Sequence, residues 1–136
     1  MDKHSSSSAP YALVVEDDGL IRMDIVEILS DAGFRTYEAA TSDEGAILLE
    51  RERQSIVLLF SDVQMPGSLD GFGLARKAAQ CWPHISIVVA SGHVCPGPND
   101  LPEGVRFIDK PFTAGMVHDH LKEILPDGQK PEPLKD

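Results

Sequence analysis

Cysteine is scarce in this chain: only Cys81 and Cys95 occur in 136 residues. Two widely spaced thiols cannot build a disulfide framework or a thiolate zinc site, so both are expected to be reduced. Long apolar runs are absent too, and none approaches the roughly 20 residues that span a bilayer. The Ser-rich lead Met1–Pro10 has no apolar core of the kind a signal peptide needs. Nothing marks export, and the cytoplasm is the expected compartment, with no membrane partner. Positive charge is also short, with 12 Lys and Arg against 22 Asp and Glu and a net charge of −10. No Lys/Arg cluster offsets the acid locally, which argues against a nucleic-acid surface. The five histidines show no metal spacing; His118 and His120, two apart, would point to different faces of a helix.

What is present is a rhythm. After a disordered lead over residues 1–10, short apolar runs alternate with longer amphipathic stretches. Strand-like runs fall at Tyr11–Val15, Phe34–Ala39, Ile56–Phe60, Ile85–Ala90 and Val105–Ile108. The second is the least apolar and suits an edge, whereas Ile56–Phe60 reads as a strand covered on both faces. Leu20–Ala32 carries apolar residues at helical spacing and ends at Gly33. Thr41 with Glu44 predicts a capping box for a helix to about Arg53. Asp70 is a candidate N-cap for a helix to about Cys81. Thr113 is another, for a last helix packing Val117, Leu121, Ile124 and Leu125 and stopped by Pro126. Residues 127–136 read as a charged, Pro-containing tail. The fourth connection, Gly92–Gly104, holds three prolines and three glycines, its two end residues among them. A proline inside a helix costs about 3 kcal/mol, so this connection is expected to be a loop or a short, irregular helix.

Alternating strands and helices imply an α/β fold with a parallel sheet and helices on both faces. Five such units match the flavodoxin-like (βα)5 three-layer sandwich with strand order 2-1-3-4-5. Ligands in such sheets bind outside the carboxyl ends of the strands, at the switch between strands 1 and 3. Glu16-Asp17-Asp18, Asp62, Ser91 and Lys110 each follow a strand-like run, so they are expected to meet in one crevice. Carboxylate oxygens with a backbone carbonyl and waters suit an octahedral Mg²⁺. Asp62 could then serve as a carboxylate nucleophile toward a phosphoryl donor. Lys110 would supply a compact cation and Ser91 a hydroxyl for the phosphoryl oxygens.

Val14-Val15-Glu16-Asp17-Asp18, Ser61-Asp62-Val63-Gln64-Met65-Pro66, Asp70-Gly71, Ser91-Gly92 and Lys110-Pro111-Phe112 together resemble the receiver domain of two-component response regulators. The resemblance covers about residues 11–126. It implies that Asp62 is the phosphoacceptor. It places Mg²⁺ (or Mn²⁺) on Asp17, Glu16, Asp62 and the backbone carbonyl of Gln64. Ser91 becomes the switch hydroxyl, Lys110 the phosphate-binding lysine, and the Lys110–Pro111 bond is expected to be cis. Phe107 falls where the family places its rotating aromatic, and without a hydroxyl it could report the switch only through burial. Gln64 and His93 would flank the line of water attack and tune the lifetime of the phosphate. The loop from Met65 to Gly71 has one residue more than the commonest family loop.

With ten residues after Pro126, the expectation is a stand-alone receiver that is not an enzyme beyond its own phosphoryl transfer and autodephosphorylation. The implied partners are a histidine kinase or histidine phosphotransfer protein and a downstream protein target. Three rival readings compete with this one. A small aspartyl-phosphate phosphohydrolase would want a second acid where Gln64 stands. A flavin-binding domain would want a phosphate loop, not three acids, after strand 1. A phosphorylation-independent interaction module would be expected to have lost an acid, the hydroxyl or the lysine.

Overall fold

A computed structural model describes residues 9–64, 69–92, 101–102, 104–131 and 134. Five strands, β1 (Tyr11–Val15), β2 (Arg35–Ala39), β3 (Ile56–Asp62), β4 (Ser86–Ser91) and β5 (Arg106–Asp109), form one parallel sheet in the order β2-β1-β3-β4-β5. Four α-helices are described: α1 (Gly19–Asp31), α2 (Ser42–Glu52), α3 (Gly71–Cys81) and α4 (Ala114–Ile124). The strand order is the one the sequence implies.

Side-chain alternation sorts the core into two layers. Along β1, Ala12 and Val14 join Ile25 and Leu29 of α1 and Val117 and Leu121 of α4. Leu13 and Val15 point the other way, to Leu49 of α2 and Leu74, Ala75 and Ala78 of α3. Central strands are buried on both faces, as their continuous apolar runs require, while β2 is mostly half-buried at its edge. An irregularity shifts the β1–β3 register between Tyr11 and Ala12, passing from Ile56 to Leu58.

Each helix begins on a side-chain cap that satisfies otherwise unpaired N–H groups. Thr41 Oγ1 accepts from Glu44 N at 3.1 Å, Asp70 Oδ1 from Gly73 N at 2.8 Å and Thr113 Oγ1 from Met116 N at 3.1 Å. The Glu44 carboxylate reaches back one residue further than a standard capping box, to Ala40 N. Helix α1 ends in a left-handed Gly33 (φ 105°), with Gly33 N donating to Ser30 O and Phe34 N to Leu29 O. This arrangement closes the helix and turns Phe34 into the core. Phe34 therefore belongs to the turn, and β2 starts at Arg35.

Two strands run further than their apolar stretches. The polar residues Asp62 and Ser91 are the last residues of β3 and β4, not the first beyond them. Strand pairing continues because Asp62 still registers with Ala90, and Ser91 with Asp109. The expected irregular fourth helix lies largely outside the described residues, as do Cys95 and the extra residue of the Met65–Ser68 loop. Beyond Pro126, the chain packs back on the domain. A short 3-10 turn covers Asp127–Gln129, Gln129 Nε2 donates to His84 O at 3.3 Å, and Leu134 is buried in the α1–α4 core layer.

Candidate functional site

The carboxyl ends of β1, β3, β4 and β5 bring the polar residues together. Glu16 is 2% exposed and Asp62 7%, while Asp17 is exposed. One carboxylate oxygen from each of Glu16, Asp17 and Asp62 lies within 4.8 Å of the other two. Lys110, directly after β5, reaches across the crevice. Its Nζ donates to Asp62 Oδ1 at 2.9 Å and to Glu16 Oε1 at 3.2 Å. The peptide before Pro111 is cis, as the resemblance implied. Ser91 is buried at the end of β4, and its carbonyl accepts from Lys110 N at 3.0 Å, which ties the β5 end to β4.

Three carboxylates and one ammonium leave the cluster net negative. Burial pushes the Glu16 carboxyl above its usual value, and the Asp62 charge adds to this against the pull of the Asp18 N–H and Lys110. Burial alone would lower the Lys110 pKa, but its hydrogen bond and charge pairing with Asp62, then Glu16, more than offset that and hold it above the usual lysine value. An acid with a raised folded-state pKa binds more protons folded than unfolded. Its contribution to stability is therefore complete below the unfolded value of 4.5 and is lost as pH rises through the folded one. In chelator, wild type is expected to lose stability relative to Glu16→Gln as pH is raised from about 4.5 toward neutrality. Urea midpoints of the two proteins across that range check this; a constant difference would contradict it.

The donor set is all oxygen, tightly grouped and short of positive charge. It fits a hard divalent cation, with Glu16, Asp17 and Asp62 as the side chains that could hold it. Gln64 is exposed beside Asp62, and His93 lies outside the described residues. Phe107 is half-buried on β5, registered with Val89 and packed against the α2–α3 core layer. His118 and His120 do diverge, His118 Nε2 to Ile28 O and His120 Nδ1 to Arg106.

Beside the cluster, a groove of about 810 Å³ runs between α1 and the segment after β5. Ile21, Ile28 and Phe112 line it, with Asp24 and Glu27 among its acidic residues, and Asp62 and Lys110 line it as well.

Three residues of the site take roles that the sequence motifs did not assign to them. Asp18 reads as a third acid of the cluster, yet its Oδ1 caps α1, accepting from Leu20 N at 2.9 Å and Ile21 N at 3.1 Å. Its position just before an apolar-periodic stretch was the available signal. Gly71 N donates to Val63 O at 2.8 Å, and a Cβ on Gly71 would lie 2.1 Å from Asp62 O. A glycine inside a helix start, where alanine is intrinsically better, hints at such a close approach. Arg22 donates from Nη1 to Glu16 O at 2.8 Å and from Nε to Glu38 Oε1 at 3.1 Å. A cation in the first turn opposes the helix dipole, so its presence pointed to a partner elsewhere.

The model of the response regulator receiver domain matches residues 12–122. The response regulator receiver protein CpdR of Brucella abortus is 31% identical over 122 residues, covering 87% of this chain and 92% of that protein. The C4-dicarboxylate transport transcriptional regulatory protein DctD of Rhizobium meliloti is 32% identical over 119 residues. That match takes in 82% of this chain but spans only 24% of DctD. Among solved structures, the receiver domain of the hybrid histidine kinase CckA superimposes with a TM-score of 0.72 at 31% identity, covering 85% of this chain and 99% of that one. The match to the family over most of the chain and the strand order agree: the chain belongs to the response regulator receiver domains of two-component systems.

Proposed function

We propose that the chain is a phosphorylatable receiver in which Asp62 accepts a phosphoryl group. The observation that carries this reading is the Lys110 ammonium, 2.9 Å from Asp62 Oδ1 within a group of three carboxylates. An Asp62 carboxylate oxygen attacks the phosphorus of the donor, an O–P bond forms, and the bond from phosphorus to the donor's leaving group breaks. Lys110 is placed to move from pairing with Asp62 to pairing with the phosphoryl oxygens. Ser91 supplies a hydroxyl at the end of the neighbouring strand. Little other chemistry is required, because phosphoryl transfer depends mainly on positioning and charge neutralisation. Glu16, Asp17, Asp62 and the Gln64 carbonyl would hold Mg²⁺ (or Mn²⁺), which supplies charge neutralisation for the incoming phosphoryl group.

The donor is a histidine kinase or histidine phosphotransfer protein, and the groove beside Asp62 is the face it would approach. The exposed Gln64 is positioned to influence hydrolytic water. The phosphorylated state acts by contact with a protein target or by passing the group onward, without turnover of a small substrate. Among the described residues no helix is long and apolar enough to cross a membrane. Residues 11–126 form the receiver unit, with the segment after Pro126 packed against it.

Intact-mass measurement after incubation with acetyl phosphate and Mg²⁺ tests the reading. Wild type is expected to gain one phosphoryl group, Asp62→Asn none, and chelator to abolish the gain. Uptake by Asp62→Asn equal to that of wild type would overturn the assignment.

A further inference from the structure

The Glu16–Asp17 peptide is held from several directions. Glu16 N donates to Ala39 O at 3.0 Å, at the end of β2. Glu16 O accepts from Arg22 Nη1 at 2.8 Å. The same guanidinium is fixed through Nε to Glu38 Oε1 at 3.1 Å, and Glu38 registers with Val14 on the neighbouring strand. Arg22 thus ties the loop after β1 to both α1 and β2. A planar guanidinium can serve a carbonyl and a carboxylate at once, which a lysine ammonium does less well.

We propose that Arg22, anchored by Glu38, is a positioning residue for the divalent-cation site, fixing the peptide that carries Glu16 and Asp17. The inference rests on the reading of Glu16, Asp17 and Asp62 as cation ligands. Arg22 touches no carboxylate of that group through the contacts described; it acts through the main chain of Glu16. Groups that orient ligands commonly change metal affinity by 10–100-fold when removed. The sign of the effect separates positioning from simple electrostatics. Removing a cation next to an anionic site should tighten binding of a divalent ion, whereas loosening the ligand-bearing peptide should weaken it.

The Arg22–Glu38 pair is partly exposed, with side chains 24% and 48% accessible. Such pairs contribute little to global stability, so the variants are expected to fold. The test is calorimetric titration of Mg²⁺ into metal-free wild type, Arg22→Gln, Arg22→Lys and Glu38→Gln, with thermal melts in chelator. Arg22→Gln is expected to bind about 10-fold more weakly, Arg22→Lys to recover part of the loss, and Glu38→Gln to bind more weakly with Arg22 intact. Equal or tighter binding by Arg22→Gln would overturn the proposal. Should Arg22→Gln fail to fold, unchanged affinity in Glu38→Gln would overturn it instead. Asp17→Asn separates the two readings: if wild type binds no Mg²⁺, or Asp17→Asn binds it equally well, the cation site itself falls and the role of Arg22 with it.

Discussion

Replacing Gly71 by alanine is expected to cost about 3 kcal/mol of stability and to cut phosphoryl uptake sharply. Alanine in place of glycine in a helix normally gains up to about 1 kcal/mol, so the expected sign is the reverse of the intrinsic preference. The cause is local and rigid. The new Cβ would lie 2.1 Å from Asp62 O and 2.7 Å from Val63 Cα, both backbone atoms. No side-chain rotation relieves such a contact, so either α3 or the end of β3 must move. Gly71 N also donates to Val63 O at 2.8 Å, and that bond would stretch with the shift. Since Asp62 is the residue displaced, the damage is expected in both fold and chemistry. Urea denaturation followed by the fluorescence of Trp82, buried in the α2–α3 core layer, measures the first, and acetyl phosphate uptake the second. Wild-type values in both would show that the close approach of α3 to Asp62 is dispensable.

Lys110→Ala carries the other large effect. The ammonium is the cation bonded to both Asp62 and Glu16, and without it two buried carboxylates and Asp17 repel one another. Removing one partner of a buried ion pair costs about 3–5 kcal/mol. Lys110 remains 22% exposed, so about 2 kcal/mol is expected in metal-free buffer. Added Mg²⁺ should restore part of that stability. The rate of phosphoryl uptake should nonetheless fall about 100-fold, the scale of losing one preorganised charge-stabilising group. The pH sign follows from the raised lysine pKa. Its contribution is complete below the unfolded value of 10.5 and is lost as pH rises through the folded one, so wild type and variant should converge in stability in strong base. A variant as stable as wild type in chelator at neutral pH would contradict the charge assignment of the crevice.

The layout was legible because apolar runs report burial. Ile56–Phe60 and Ile87–Ala90 are continuous since both faces of a central strand are covered, and the less apolar β2 marked the edge. Once the order of strands was set, the meeting of Glu16, Asp62 and Lys110 followed from topology. The strand ends were less legible: Asp62 and Ser91 extend β3 and β4 because sheet pairing, not hydropathy, decides where a ladder stops. The roles of Arg22 and Gly71 depend on which backbone atoms come near them, Glu16 O in one case and Asp62 O in the other. Those neighbours are 6 and 9 positions away in the chain and are set only by the folded loops. Leu134 illustrates the same limit, since a lone apolar residue in a charged, Pro-containing segment gives no periodicity to read, yet it is buried in the core.

The most direct measurement locates the phosphoryl group. After acetyl phosphate and Mg²⁺ treatment, borohydride reduces an aspartyl phosphate to homoserine, and peptide mass spectrometry finds the altered residue. The account predicts homoserine at position 62, in the treated wild type only. Homoserine at Asp17 or another acid, with Asp62 unaltered, would contradict it.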